Sequence, residues 1–256
     1  MKFNSRNVYI SPKATLGRDV RIGDNTVIYD RVVLGDNSIV CNDCVVGEPL
    51  NAYYTSSDYE NPTTVIGSES IIRSHSVIYA GCHIGSSFSC GHHALIREKC
   101  TIGDHCSVGS MADLEGDISI GNYSRIHSSV HISQWSKIGS YCWIAPFVVM
   151  THDPYPPSND WKGSSIGDYT QVCVGAVILP GIQIGQKCVI GAGAVVNKSL
   201  KDLSLVVSAS SRVTDVGKYI VMGKGRVYPW MNRFERGMPW DGIGYDAWIR
   251  QSADPE

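Results

Sequence analysis

Isoleucine, leucine or valine returns at every sixth position along most of this chain. One run begins at Ile10, a second continues without a slip from Ile66 to Met150, and a third extends from Ile166 to Val196. This period fits neither the helical repeat of about 3.6 residues nor the two-residue alternation of one long strand. It predicts short strands joined by turns, because a short repeat can bury its apolar face only by stacking on its neighbours. We therefore predict an all-β fold, a prism-shaped parallel β-helix with three strands in each eighteen-residue coil.

The eighteen-residue coil sorts the apolar anchor residues onto three faces and predicts about nine coils. The anchors of the first face, each followed by glycine, are Leu16, Leu34, Ile66, Ile84, Ile102, Ile120, Ile138, Ile166 and Ile184. Those of the second face are Ile22, Val40, Ile72, Cys90, Val108, Ile126, Ile144, Val172 and Ile190. Those of the third face are Ile28, Val46, Ile78, Ile96, Leu114, Ile132, Met150, Ile178 and Val196.

Two insertions interrupt the period, at residues 48–64 and 152–164. Both leave the stack between the third and the first face, an edge that we call the third–first corner. Both are polar and rich in Pro, Asn, Tyr and Ser, as loops are. Binding and catalytic residues often lie on loops that a rigid scaffold holds. We therefore expect the functional site at the third–first corner.

Charge and the first residues of the chain narrow the class of protein. The formal net charge is −2, so no basic field attracts nucleic acid or an anionic membrane. Residues 1–12 contain no apolar run, so we expect neither a secretory signal nor membrane insertion. A cytoplasmic protein is the expectation.

The nine cysteines fit the repeat better than a metal or disulfide framework. Six fall four residues after an apolar anchor, at an inward position that needs a small side chain, and Cys90 is itself an anchor. Only Cys41 and Cys173 occupy outward positions. An odd number without a secretion signal indicates reduced thiols.

The last part of the chain departs from the repeat. We predict a β-helix domain over residues 1–200 and a C-terminal extension over 201–256. We expect this extension to cap the open end of the solenoid or to pack on a neighbouring subunit, although its aromatic rings could instead stack on sugars or bases. The aromatic residues beyond about Lys218 are Tyr219, Tyr228, Trp230, Phe234, Trp240, Tyr245 and Trp248.

Several stretches resemble the hexapeptide-repeat acyltransferases. The repeats at 184–189 (IGQKCV) and 190–195 (IGAGAV) follow the family pattern, and 172–181 (VCVGAVILPG) is similar to its acetyl-CoA-binding coil. Residues 91–98 (GHHALIRE) and 151–158 (THDPYPPS) resemble the nucleotide-sugar acetyltransferases of surface-polysaccharide pathways. The resemblance implies a left-handed β-helix, a homotrimer, acetyl-CoA as acyl donor and a nucleotide-linked amino sugar as acceptor.

The same resemblance implies two sets of binding residues. The donor would lie along the C-terminal coils between neighbouring subunits, with backbone amides from Gly175 and Ala176 and a phosphate contact from Lys198. The acceptor would lie on the two nucleotide-sugar motifs, at His92, Arg97, Glu98 and Tyr155. The complete donor set is Gly175, Ala176, Gly193, Ala194, Lys198 and Arg212.

Acyl transfer needs a group that takes the acceptor's proton, and His152 is the best candidate in the chain. It opens the second insertion, and an unperturbed imidazole titrates near ~6.5. Gln134 shares its position in the preceding coil and could hold the second ring nitrogen, while the adjacent Asp153 could orient the ring. We predict these three residues as the catalytic group.

The histidine also leaves the acceptor atom open. In the amino-sugar N-acetyltransferases that the chain resembles, the position of His152 is typically asparagine. A sugar hydroxyl is a poorer nucleophile than a free amine and needs base assistance more. O-acetylation of a saccharide hydroxyl is therefore the alternative to N-acetylation.

Two further alternatives come from other classes. The γ-class carbonic anhydrases share this fold and bind zinc with three histidines, and His92, His127 and His131 raise that possibility. His92 is two residues past its anchor and His127 only one, which points their side chains in opposite directions, so we expect no metal. A non-catalytic scaffold is the other alternative, which the absence of acyl-CoA binding would favour.

Overall fold

The computed structural model describes residues 4–208 and 239–252. The three predicted faces are three parallel β-sheets of ten, nine and ten strands, in which each strand pairs with the strand three strands away in sequence, except that the last strand pairs with the strand two before it. The all-β prediction is confirmed, and the solenoid is a left-handed parallel β-helix. Strands β1 (Tyr9–Ile10) and β29 (Leu205–Val206) extend the stack beyond the nine coils counted from the anchors.

The strand bounds follow the order of the faces. The third-face sheet contains β1 (Tyr9–Ile10), β4 (Val27–Ile28), β7 (Val45–Glu48), β10 (Val77–Tyr79), β13 (Leu95–Ile96), β16 (Asp113–Leu114), β19 (His131–Ile132), β22 (Val149–Met150), β25 (Val177–Ile178) and β28 (Val195–Val196). The first-face sheet contains β2 (Thr15–Leu16), β5 (Val32–Leu34), β8 (Thr64–Ile66), β11 (His83–Ile84), β14 (Thr101–Ile102), β17 (Ser119–Ile120), β20 (Lys137–Ile138), β23 (Ser165–Ile166) and β26 (Gln183–Ile184). The second-face sheet contains β3 (Arg21–Ile22), β6 (Ile39–Val40), β9 (Ile71–Ile72), β12 (Ser89–Cys90), β15 (Ser107–Val108), β18 (Arg125–Ile126), β21 (Trp143–Ile144), β24 (Gln171–Val172), β27 (Val189–Ile190) and β29 (Leu205–Val206).

The anchor of almost every strand points into the core while the residue before it points outward. In β11, Ile84 is buried and His83 is exposed. The pairing register is eighteen residues, as between Thr101 and Ser119 in β14 and β17. This register stacks the anchors in columns, so the core is a continuous apolar rod along the axis.

The glycine after each first-face anchor has a steric cause. A Cβ atom at Gly85 would lie 2.7 Å from the backbone nitrogen of Asp104 in the next coil, and one at Gly103 would lie 2.8 Å from that of Asn122. Such distances are far inside van der Waals contact. Neighbouring coils therefore approach closely at this edge only because the side chain is absent.

The cysteines divide as predicted. Cys41 and Cys173 are partly exposed, and the other seven are buried and unpaired. Burial raises the pKa of the Cys44 thiol to about 12 and that of Cys90 to about 11. These thiols remain protonated at neutral pH and serve as small core side chains.

Both insertions leave the stack at the third–first corner. The first lies between β7 and β8 and includes a single 3-10 turn, η1 (Asn51–Tyr54). The second lies between β22 and β23, and the amide of Lys162 donates to the carbonyl of His152 to close it at 2.6 Å. The scaffold continues in register on both sides of each insertion.

The chain divides into two compact units, residues 1–209 and 210–256. Because β29 pairs with β27, the second-face sheet continues beyond the predicted boundary at residue 200. The described part of the second unit contains helix α1 (Tyr245–Ser252), and the ring of Trp240 lies 5.0 Å from that of Tyr245. The other predicted tail aromatics, Tyr219, Tyr228, Trp230 and Phe234, lie outside the described residues, and the capping role stays a prediction.

Candidate functional site

The imidazole of His152 lies at the third–first corner, with its Nδ1 atom 3.3 Å from Oε2 of Glu115. About a quarter of each side chain is exposed. Glu115 follows the anchor Leu114 and lies two coils before His152. Ser133 occupies the intervening outward position and is small, so the glutamate side chain can extend across its level.

The same carboxylate also faces a second imidazole. Oε1 of Glu115 lies 3.7 Å from Nε2 of His131, and Nδ1 of His131 lies 3.2 Å from Oδ2 of Asp113. The hydrogen bond with Asp113 raises the pKa of His131; the charge of Glu115 adds to this effect and burial opposes it. His131 is therefore held between two carboxylates on the outer side of the third face.

Two tryptophans pack against the His152 ring. Trp135 comes from the corner after β19 and Trp161 from the second insertion, and their rings stack at 5.5 Å. Each meets His152 edge to face with ring centroids 5.8 Å apart. The three centroids form a nearly equilateral triangle, so the stacked pair packs against one side of the imidazole and limits its rotation.

Asp153 does not orient the His152 ring as its adjacency in sequence suggested. The carboxylate of Asp153 accepts bonds from the amides of Tyr155 and Ser158, both at 2.9 Å, and from the Ser158 hydroxyl at 2.6 Å. The hydroxyl of Ser158 is the main cause of the lowered pKa of Asp153. Asp153 therefore organises its own loop, and it is Glu115 that contacts Nδ1 of His152. Gln134 is half-buried in the coil before His152, and its proposed contact with the second ring nitrogen stays a prediction.

The first insertion closes over a hollow of about 380 Å³ at the same corner. Arg97 and Glu98 line it, joined by two hydrogen bonds of 3.1 and 2.9 Å, and the guanidinium carbon lies 5.9 Å above the ring of Tyr79. Burial raises the pKa of Glu48, which also lines the hollow. The hollow thus combines a cation, carboxylates and the aromatic faces of Tyr54 and Tyr79.

The hollow and the imidazole belong to one column of corner positions. Glu98, Gly116, Gln134 and His152 occupy equivalent places in four successive coils. A Cβ atom at Gly116 would lie 3.0 Å from the carbonyl of Glu98, so Gln134 is the one side chain of the column between the two sites. Three strand spacings of about 4.8 Å separate its ends by roughly 14 Å. Both insertions flank this column.

The predicted donor residues lie mainly at the corner between the second and third faces. Gly175 and Gly193 have φ angles of +68° and +66°, and no atom lies within 4 Å of a Cβ built on either. The amide of Gly175 donates to Pro146, so the availability of this amide for a ligand is not supported. The amide of Ala176 likewise donates to Cys173, and Ala176 and Ala194 are buried in the core. What this corner offers is bare backbone surface.

The remaining predicted residues are scattered. His92 is exposed at the second–third corner, a full face away from Arg97 and Glu98. Tyr155 is 73% exposed within its loop. Lys198 is exposed in the third–first column, two coils after His152. Arg212 lies outside the described residues. Within one chain, His152, Arg97, Glu98 and Lys198 lie at the third–first corner on different coils, and the predicted donor glycines lie at another corner.

Four residues of the cluster were not predicted as site residues: Glu115, Asp113, Trp135 and Trp161. The outward positions flanking Leu114 in β16 are both acidic, and the matching position of β19 is His131. Two acidic residues on either side of the anchor Leu114 could therefore have predicted a pair of outward carboxylates on this face. No comparable signal marked Trp161, which lies in an aperiodic segment.

The residues that the structure describes contain neither a metal-binding cluster nor a membrane-spanning helix. Nowhere in 4–208 and 239–252 do three or more His, Cys, Asp or Glu side chains form a group that could hold a metal ion. Within those ranges, no helix is sufficiently long and apolar to cross a membrane.

Comparison with known proteins supports the repeat assignment. The family model for the bacterial transferase hexapeptide, with six repeats, matches residues 13–48 and 163–198. The predicted resemblance to hexapeptide-repeat transferases is thus confirmed. No curated protein sequence matches the chain.

Solved structures share the fold. The UDP-N-acetylglucosamine O-acyltransferase LpxA of Moraxella catarrhalis RH4 is 16% identical, with a TM-score of 0.55 over 69% of this chain and 68% of that chain. The UDP-N-acetylglucosamine acyltransferase of Arabidopsis is 18% identical, with a TM-score of 0.50 over 75% of this chain and 66% of that one. At these identities the similarity establishes the fold alone.

Proposed function

We propose that the protein is an acyltransferase that moves an acetyl group from acetyl-CoA to a nucleotide-linked amino sugar in the cytoplasm. The observation that carries the proposal is the imidazole of His152, which lies beside a carboxylate at the corner where both insertions emerge. The transferase repeat and the fold shared with acyltransferases support the same reaction class.

His152 acts as the general base in this proposal. A proton on Nδ1 facing Glu115 leaves the lone pair of Nε2 free to accept a proton from the acceptor. The acceptor atom attacks the thioester carbonyl, the tetrahedral intermediate collapses, and the thiolate of CoA leaves with the proton. Trp135 and Trp161 keep the ring in one orientation and exclude water from it.

Substrate binding follows from the two ends of the corner column. Arg97, positioned by Glu98, can meet a phosphate of the acceptor, and the rings of Tyr54 and Tyr79 can stack on its flat groups. The roughly 14 Å between the hollow and His152 suits an acceptor that carries a nucleotide at one end and a reactive sugar at the other.

The acyl donor requires more than one chain. Gly175 and Gly193 lie at a different corner from His152 and Lys198, separated by the width of the third face. We propose a homotrimer in which these corners of neighbouring copies face each other and form the donor groove. Lys198 would then meet a phosphate of CoA from the column that contains His152.

O-acetylation of a saccharide hydroxyl is the second candidate. The contact between Glu115 and His152 favours it, because a carboxylate behind the imidazole strengthens the base that a hydroxyl requires.

The test is incubation with acetyl-CoA and a panel of amino- and hydroxy-sugar nucleotides while free thiol is monitored. We expect acceptor-dependent thiol release and an acetylated product whose mass and NMR spectrum identify the N or O position. Longer acyl-CoAs in the same assay define the donor range. Binding of acyl-CoA without transfer to any acceptor would contradict the proposal, and no acyl-CoA binding at all would favour a scaffold.

A further inference from the structure

Glu115 joins two imidazoles, one at each carboxylate oxygen. Oε2 lies 3.3 Å from Nδ1 of His152, and Oε1 lies 3.7 Å from Nε2 of His131. The other nitrogen of His131 lies 3.2 Å from Oδ2 of Asp113. A continuous row of two carboxylates and two imidazoles therefore leads from the outer wall of the third face to the proposed base.

The row is incompletely satisfied by hydrogen bonds. Oε2 of Glu115 and Oδ1 of Asp113 are buried atoms without a hydrogen-bond partner among the described residues. The contact between Glu115 and His152 is close enough for ion pairing but is not aligned as a hydrogen bond. Each oxygen of Glu115 faces one imidazole, so the charge of each ring acts on the other across the shared carboxylate.

The other charged groups around the row have partners of their own. Arg97, one coil before Glu115, is held by Glu98. Lys162, which follows Trp161 in the second insertion, forms an ion pair with Asp160 at 2.9 Å. Asp153, next to His152, is bonded by Tyr155 and Ser158 of its own loop. The charges that face His152 are therefore those of Asp153 and of Glu115, and Glu115 also faces His131.

We propose that Glu115 is a positioning residue shared by both rings, and that the pair formed by His131 and Asp113 acts through Glu115 on the protonation of His152. The kinetic meaning of this inference rests on the proposed function, whereas the coupling between the rings is a property of the folded chain.

The direction of the coupling follows from charge. A charged His131 repels a second proton on His152 and draws Glu115 toward itself, so His152 loses its proton more readily. When His131 is neutral or absent, Glu115 acts on His152 alone and favours its protonated form. Removing Glu115 has the opposite effect, because the carboxylate is what attracts a proton to the ring.

NMR titration of the histidine rings in the full-length protein tests the coupling without a substrate. We expect His131→Asn to raise the titration midpoint of His152 by about 0.5 to 1 pH unit. Asp113→Asn should lower the midpoint of His131 and raise that of His152 by less, and Glu115→Gln should lower that of His152. His83→Asn is the matched control, since His83 is exposed on the outer side of the first face, and it should leave His152 unchanged.

Kinetics supply the second readout once an acceptor is known. The acidic limb of the kcat/KM profile should move up in His131→Asn and down in Glu115→Gln by the same intervals as the midpoints. Glu115→Gln should also lower kcat about tenfold with little change in the KM for acetyl-CoA, as expected when the base is misoriented. A purely structural role would lower stability without moving the pH limb.

The outcomes separate the two proposals. An unchanged His152 midpoint in both folded His131→Asn and Asp113→Asn overturns the coupling, even if acetyl transfer occurs. A shifted midpoint in a protein that transfers no acyl group supports the coupling and overturns the proposed function. If His131→Asn does not fold, Asp113→Asn decides alone, because it keeps the ring and removes its charge partner.

Discussion

The third–first corner and the corner between the first and second faces, the first–second corner, share one coil geometry but differ in their side-chain contacts. At the first–second corner, side-chain oxygens accept backbone amides from the preceding coil: Asp36 from Arg18, Asp104 from Ser86, Asn122 from Asp104 and Asp168 from Ser140. The rings of His105, Tyr123, Tyr141 and Tyr169 stack there with centroid distances of 4.6, 5.1 and 4.8 Å. At these positions the backbone amides of one coil donate to side-chain oxygens of the next coil, and neither insertion leaves the stack at this corner.

The third–first corner satisfies itself less completely. Both insertions leave the stack here. Beside this corner, one buried oxygen each of Glu115 and Asp113 has no hydrogen-bond partner among the described residues. The carboxylate of Glu115 is also shared by the imidazoles of His131 and His152. Buried polar groups left in this condition cost stability, and they concentrate where chemistry occurs. The contrast indicates that one corner holds the stack together and the other is available to a substrate.

The largest difference between the corners should appear in turnover. His152→Ala removes the proposed base and should lower acetyl transfer by about 10²- to 10⁴-fold. His105→Ala is the matched control at the first–second corner and should leave turnover within about twofold. Equal losses in both variants, measured as acceptor-dependent thiol release, would remove the functional distinction.

A smaller effect should follow from the aromatic walls. Trp161→Ala frees one side of the His152 ring and should reduce kcat about tenfold, because misplacement of a base costs rate without abolishing the reaction. Tyr141→Ala removes a ring that stacks only on other corner rings, so we expect normal kcat and slightly lower thermal stability. Steady-state kinetics and a thermal melt on both variants make the comparison.

Stability should respond in the opposite sense. Asp104→Ala removes the oxygen that accepts the amide of Ser86 at 2.7 Å and should lower the free energy of unfolding by about 1 kcal/mol. Turnover should not change. Asp19→Ala, at an exposed position of the same corner, is the control for loss of a surface carboxylate, and denaturant unfolding gives both values.

The smallest effect concerns the pH dependence of stability. The pKa of His131 is raised in the folded state, so the stabilisation it gains from Asp113 is fully present below its unfolded value of about 6.5. That contribution is lost as pH rises through the raised folded pKa. The difference in melting temperature between the unsubstituted protein and Asp113→Asn should therefore be larger at pH 6 than at pH 8. An equal difference at both values would show that His131 does not titrate with this pair.

The architecture was predictable because one apolar residue at every sixth position determines which face each strand belongs to. The anchors from Ile66 to Met150 keep step without gaps, so faces, corners and the exits of both insertions follow from counting. The inward cysteines were predictable for the same reason.

The site was less predictable because it depends on reach and rotamer. Gln134 shares the column of His152, yet the contact with Nδ1 comes from Glu115, which crosses the level of the small Ser133. Asp153 is adjacent in sequence, but the amides of Tyr155 and Ser158 attract its carboxylate into its own loop. Counting positions gives the level of a side chain along the axis and leaves open the direction in which it extends.

The column from Glu98 to His152 makes the distance between the hollow and the imidazole a countable property of the chain. Each coil adds eighteen residues and about 4.8 Å, and each face is kept when a whole coil is added or removed. Under the proposed function, adding or removing a coil would change this distance in fixed increments, so the same two ends could serve a larger or a smaller acceptor.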